Sequence, residues 1–318
     1  MDKLDFTRIK TVPIASRESK VRLEDLAQVP RPGASFAEFF NSLPSILKVQ
    51  DLRLLVAKIA EAVRDNKPRI VLFGAHLIKC GLSPYLVEGM KRGIWTTLAT
   101  NGAGSIHDFE IAIQGATSED VGKGLADGTF GMAEETGRWM NEAIREGAES
   151  GLGFGEALAR KMESLQLPYR HHSVVYQAMQ TNVPMCVHVA LGTDIIHQHP
   201  EASGSAIGET SFRDFRKLTE CVAELKGGGV VLNLGSAVIL PEVFLKALTV
   251  ARNLVDGVHG FTTANFDMLQ TYRPHHNVVS RPTETGGIGL SFIGHHELLL
   301  PLFFYAVFEA CKSKSQLF

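Results

Sequence analysis

Apolar residues fall along this chain in two rhythms. Short unbroken apolar runs alternate with longer stretches in which apolar positions recur every three or four residues. The runs at 69–75, 94–99, 184–191, 229–234 and 257–263 predict buried strands, and 277–281 and 288–293 predict two more. Helical spacing predicts helices over 36–47, 51–65, 118–128, 132–147, 174–180, 212–225, 240–254 and 297–312, with others opening at Ser83 and Ser105. Pro84 in a first turn and Ser211 as an N-cap mark two of these starts. The small-residue segment 201–209 reads as a loop. Continuous apolar strands, each followed by a helix, predict an α/β fold. Its sheet would be doubly wound, mostly parallel, Rossmann-like and covered on both faces. Residues 1–34 are polar and carry Pro13, Pro30 and Pro32, which predicts an extended N-terminal arm draped over a neighbour. Residues 35–318 are expected to form one nucleotide-binding-like α/β domain with a helical insertion at about 118–168.

Composition narrows the class without naming a partner. The 318 residues are 45% hydrophobic and 21% charged, with a net charge of −2, as in ordinary globular proteins. No basic excess points to nucleic acid and no acidic block to a tail. The longest apolar stretch, 298–306, is too short to span a bilayer and holds Pro301. The charged opening MDKLDFTRIK has no secretory apolar core. A cytoplasmic protein with neither a nucleic-acid nor a membrane partner is expected. Cys80, Cys186, Cys221 and Cys311 are widely spaced and form no CxxC pair, which predicts free thiols in a reducing compartment.

Candidate chemistry gathers where the predicted strands end. The run at 94–99 leads into Asn101-Gly102-Ala103-Gly104 and then Ser105, His107, Asp108 and Glu110. A strand, a glycine turn and a helix start bring free N–H groups and the positive end of a helix dipole to one point, where an anionic or polar ligand can sit. Other strands end in Gly74-Ala75-His76, in Gly192-Thr193-Asp194 with His197 and His199 just beyond, in Gly235-Ser236, and in Thr262, Thr263, Asn265 and Asp267. In a parallel sheet these ends share one edge and converge on one crevice.

Of the twelve histidines, three sets are adjacent pairs (171–172, 275–276, 295–296), whose rings point apart. His197-x-His199, with Asp194, His76 and Asp108, has donor types that suit a metal, but no fixed ligand spacing supports one, and no metal is assigned. GxGxxG after a strand, GxxxxGK[ST] and GxSxG are all absent, so a standard dinucleotide fingerprint, a P-loop and a nucleophile elbow are not read here.

Four blocks, in order, resemble the deoxyhypusine synthase family over most of residues 65–310. They are GAHLIKCGL at 74–82, TNGAGSIHDF at 100–109, SVVYQAMQTNVPMCVHVALGTD at 173–194, and FTTANFD at 261–267 followed by Arg273-Pro274. The resemblance implies a Rossmann-like α/β fold that binds NAD at the strand ends, in a cleft between paired subunits of a homotetramer, a dimer of dimers. The family oxidises spermidine and passes its aminobutyl group through an imine on a lysine. Carried over residue by residue, the cofactor side comprises Ala75, His76, Thr100, Asn101, Gly102, Gly104, Gly235, Ser236, Thr262 and Asp267, with Asp108 and Asp194 beside them.

The departures concern the reaction centre. Pro282 falls where the family's lysine would be and Ser280 where its tryptophan would be, and no lysine occurs between Ala247 and Cys311. A guanidinium stays charged and cannot form the imine in its place. The family's Glu-Glu of the NAD turn reads Ile106-His107 here. The expectation is therefore a deoxyhypusine synthase-like protein that is not a deoxyhypusine synthase. It would be a small-molecule, amine-related enzyme retaining NAD, with His107 or His197 as general acid/base and Asp108 or Asp194 as orienting group. Two other readings stay open: a retired enzyme kept for binding or assembly, and a metal-dependent hydrolase using His76, Asp108, His197 and His199.

Overall fold

A computed structural model describes residues 4–312. The chain forms two compact units, Met1–Arg53 and Leu54–Phe318. In the first, three single 3-10 turns precede α1 (Phe36–Ser42), which Ser35 starts by accepting the Glu38 N–H while Glu38 bonds back to the Ser35 N–H. Helix α2 (Leu47–Arg64) follows.

The second unit is built on six strands: β1 (Arg69–Phe73), β2 (Thr97–Asn101), β3 (Met185–His188), β4 (Val230–Leu234), β5 (Thr262–Asp267) and β6 (Ile288–Ile293). All pair in parallel, in the order β3-β2-β1-β4-β5-β6. The helices, in chain order, are α3 (Ala75–Lys79), α4 (Ser83–Lys91), α5 (Gly102–Gln114), α6 (Val121–Asp127), α7 (Glu134–Glu149), α8 (Phe154–Ser164), α9 (Val174–Gln180), α10 (Gly204–Ala223), α11 (Ile239–Leu254), α12 (Tyr272–Pro274) and α13 (His296–Ala310). Leu218, Val222, Leu240, Phe244 and Leu248 of α10 and α11 pack on Ile70, Leu72, Ala99, Cys186 and Val231 of one sheet face. On the other face Phe303 of α13 lies 4.7 Å from Phe266 of β5. This is the doubly wound α/β sheet expected, entirely parallel. No helix among the described residues is long and apolar enough to cross a membrane.

Each edge and end has a local reason. Arg69 opens β1 almost fully buried and donates to the carbonyls of Ile94 (2.8 Å), Gly93 (2.8 Å) and Ala62 (3.2 Å), tying the strand to the α2 and α4 ends. The outer edge of β3 meets side chains of α10: Asp214 accepts the Val187 N–H at 2.8 Å, and the Ser211 hydroxyl donates to the Val187 carbonyl at 3.0 Å. A sheet edge whose backbone groups are already taken does not invite another strand.

Four local expectations shift. Segment 94–99 becomes a strand only from Thr97, so β2 runs on through Asn101. The loop expected at 201–209 gives way to α10 from Gly204, capped by Ser203 rather than Ser211. The strand expected at 257–263 lies instead at Thr262–Asp267, because its polar residues are interior. Thr262, Thr263 and Asn265 are buried, and the Asn265 carbonyl accepts from the Asn233 amide at 2.7 Å. Finally, 277–281 is helical, within a π turn (His275–Ser280) and a 3-10 turn (Arg281–Thr283) that bury Val278 against α11.

Candidate functional site

Strand order reverses between β1 and β4, and that point defines the crevice of such a sheet. The register carries one row of residues along the carboxyl edge. His188 stands opposite Asn101, Gly74 and Gly235 follow the paired Phe73 and Leu234, and Asp267 stands opposite Ile293. A Cβ on Gly74 would sit 2.4 Å from the Gly235 carbonyl oxygen, so only glycine lets these two turns touch. The His296 ring then packs on Gly235, 5.5 Å from the His76 ring. Burial lowers the His296 pKa.

The β2–α5 junction is built as its residue types suggest. Asn101 caps α5 by accepting the Gly104 N–H at 2.9 Å, and the Thr100 hydroxyl donates to the Phe73 carbonyl at 2.9 Å. The space left by the missing Gly102 side chain is filled from the chain itself. A Cβ there would lie 1.8 Å from Asp194 Oδ2. Asp194, 8% exposed, accepts the Ala103 N–H, and burial pushes its pKa up to about 6. His197 holds it in place. Its Nδ1 accepts the N–H groups of Gly192 (3.1 Å) and Asp194 (3.3 Å), which assigns the ring proton to Nε2. That Nε2 lies 3.9 Å from Asp194 Oδ2, and neither atom has a partner among the described residues. Burial lowers the His197 pKa.

Beside this junction lies a cavity of about 230 Å³, lined by residues that include Lys79, Ala103, His107, Glu110, Phe130 and Asp194. His107 Nδ1 is 2.7 Å from the Thr117 hydroxyl, which in turn donates to Glu110. With its one proton given to Glu110, Thr117 accepts from Nδ1–H, so His107 Nε2 is the free, basic nitrogen. Burial raises the Glu110 pKa, but the imidazole of His107, 3.8 Å away, and the hydrogen bond from Thr117 outweigh it and leave a stable carboxylate.

Other expected site residues go elsewhere. Asp108 is 1% exposed and spent on α9: it accepts from Val174 N (2.7 Å), Val175 N (3.0 Å) and the Ser173 hydroxyl. Thr262 stands at the amino end of β5, five residues of extended strand or about 17 Å from Asp267. It therefore lies off the carboxyl edge, because the strand begins where its end was expected. Ala75, His76, Gly235, Ser236 and Asp267 do lie on that edge. The set suggested for a metal is not assembled. His199 Nε2 is 2.8 Å from the Gly131 carbonyl oxygen, His76 Nε2 is 3.3 Å from Cys80 Sγ, and no group of three metal-ligating side chains occurs among the described residues.

Three features were given no role, or were missed, in the sequence reading. Glu110 was visible three residues after His107 on a predicted helix, the spacing of facing neighbours. From the segment after α5, Thr117 reaches the His107 side chain and Phe130 reaches the cavity, which no local pattern announces. His188, 3% exposed with its pKa pushed down to about 4 by burial, stood out only as a polar residue in an apolar run.

No protein-family model and no curated protein matches the chain. Solved structures match its fold. A "putative deoxyhypusine synthase" from Entamoeba histolytica superposes with a TM-score of 0.52 at 14% identity, over 88% of this chain and 95% of that one. A "conserved putative LOR/SDH protein" from Methanococcus maripaludis S2 gives 0.50 at 16%, over 82% and 69%. ArgZ, an arginine dihydrolase from the ornithine-ammonia cycle in cyanobacteria, gives 0.51 at 15%, over 84% of this chain and 34% of that one. The chain thus spans about a third of the length of ArgZ. At these identities the likeness is one of fold, which is deoxyhypusine synthase-like.

Proposed function

We propose that this chain is a small-molecule enzyme that performs acid–base chemistry on a compact amine in the cavity beside α5. One observation carries the reading. A single cavity is lined both by a histidine whose free nitrogen is set by a Thr117–Glu110 relay and by Asp194, whose pKa lies near neutrality. Groups that titrate near the working pH serve best as general acid and base. His107 Nε2 takes the proton, and Asp194, with Oδ2 unpartnered, holds or returns one. His197 positions Asp194, because both of its Nδ1 bonds are backbone bonds. Three carboxylates (Glu110, Glu119 and Asp194) against Lys79 favour a cationic ligand. The cavity is smaller than the roughly 300–1,000 Å³ of drug-sized ligand sites, so the ligand is short.

Two features of the resemblance are treated differently. The family's imine-forming lysine has no counterpart at its position, since 247–311 hold no lysine. NAD does not fit along the β2–α5 junction. Its pyrophosphate needs open N–H groups at the helix start, and the Asp194 carboxylate fills the space beside Gly102 there. No step is routed through it. The cytoplasmic homo-oligomer, a dimer of dimers, stays part of the proposal. Leu269, Tyr272 and Leu298, exposed on the loop and helix start that follow β5 and β6, support a partner there.

Calorimetry with putrescine, spermidine and NAD tests this. The expected result is micromolar binding of an amine, lost in His107→Ala and Asp194→Asn while both keep the wild-type melting curve. Binding of NAD, or no binding of any amine, would overturn it.

A further inference from the structure

A second cavity, of about 690 Å³, opens between α4, the carboxyl half of α5 and the turn at residues 169–172. It shares no lining residue with the cavity beside His107. Its size falls within the roughly 300–1,000 Å³ of drug-sized ligand sites. The start of α4 on its wall is unmet. The N-cap there is Leu82, which has no side-chain oxygen to accept the first N–H groups, so the positive end of the helix dipole stands open. Ser83, the first residue of α4, lines the cavity at 7% exposure. Neither its N–H nor its buried hydroxyl has a hydrogen-bond partner among the described residues. Buried polar groups nearly always have one, and here both could be met by the same anion.

The rest of the wall says what the anion is attached to. Glu88, the acid on this wall, is taken by Arg92 at 2.6 Å, which leaves the charge of the exposed Lys91 unbalanced there. Lys91 lies about 12 Å along the helix from Ser83, with its stem directed back toward the helix start, so it adds long-range attraction. Ile78 and Val87 supply buried apolar surface. The Tyr169 ring rests against Gly115, the left-handed C-cap of α5, where a Cβ would lie 3.5 Å from the ring atoms, and Tyr169 stays 44% exposed. An aromatic ring beside an apolar wall stacks a planar group. We infer that this cavity binds a small molecule that joins a planar ring to a phosphate group. The phosphate sits at the start of α4 and accepts from the Ser83 N–H and hydroxyl. The ring lies against Tyr169 and the apolar wall.

Calorimetry on the full-length chain with phenyl phosphate, and separately with inorganic phosphate, tests this. Phenyl phosphate should bind the wild type at submillimolar concentration, and more tightly than inorganic phosphate. Ser83→Ala should weaken phenyl phosphate about tenfold, the worth of one charge-assisted hydrogen bond. It should not lower the melting temperature, because the hydroxyl it removes has no partner in the protein. Tyr169→Ala should abolish the preference for phenyl phosphate over inorganic phosphate. His107→Ala should leave the binding unchanged, which separates this site from the amine site. The inference is overturned by a wild type that does not bind phenyl phosphate, or by a Ser83→Ala protein that binds it as before. Equal affinity for inorganic phosphate would mean an adventitious ion only, and loss of binding in His107→Ala would put the ligand in the other cavity; either outcome overturns it as well.

Discussion

Asp108 offers the sharpest separation of a structural role from a chemical one. Its side chain stands next to His107 in sequence, yet its two oxygens accept three hydrogen bonds at the start of α9, all from groups buried to 1% exposure or less. Asp108→Ala strands two backbone N–H groups at about 1–2 kcal/mol each and the Ser173 hydroxyl at about 1 kcal/mol. Relief of a buried charge offsets about 1 kcal/mol, leaving a net loss of about 3 kcal/mol. For a unit of this size that is a fall in Tm of roughly 6–12 °C. Asp108→Asn keeps one carbonyl acceptor and loses about 2 kcal/mol. The pH dependence adds a second signature. Burial raises the Asp108 pKa from 3.8 to about 6, so between those values the folded state binds a proton that the unfolded state does not. Stability from this group therefore rises as the pH falls from 7 to 4, by up to roughly 3 kcal/mol, and Asp108→Asn removes that rise. Urea melts at pH 7.5 and pH 5, followed by tryptophan fluorescence, read both effects. An Asp108→Ala protein within 1 kcal/mol of wild type would refute the cap. So would an Asp108→Asn protein that melts normally but no longer binds the amine.

Two further substitutions probe the frame. Gly102→Ala places a methyl group 1.8 Å from Asp194 Oδ2 and must push that carboxylate off α5. Overpacking costs about 1–3 kcal/mol, and amine binding should fall at least tenfold by calorimetry; unchanged binding would show that Asp194 need not sit there. Arg69→Met removes the donors that satisfy the carbonyls of Ala62, Gly93 and Ile94. It should cost about 3 kcal/mol in urea melts while leaving the ligand affinity of the folded protein unchanged.

Much of the frame follows from the sequence alone. Continuous apolar runs at 69–75, 184–191 and 229–234 can be buried only on both faces, which forces helices to either side of a parallel sheet. Asn101 before two glycines predicts the capped start of α5, and His107 and Asp194 were legible as ionisable groups at strand ends. Tertiary structure decided the rest, because polarity alone does not say which way a side chain faces. Thr262 and Asn265 look like residues at a strand's end until neighbouring strands bury them within β5 and supply Asn233 as a partner for Asn265. Asp108 and His107 are adjacent in sequence but lie at different angles around α5, so one caps α9 and the other lines the cavity. Asp194 belongs to the site only because the loop after β3 returns across β2 to the space that Gly102 leaves open. Thr117 completes the His107 relay for a similar reason. The chain leaving α5 passes back along it, a contact set by packing rather than by spacing.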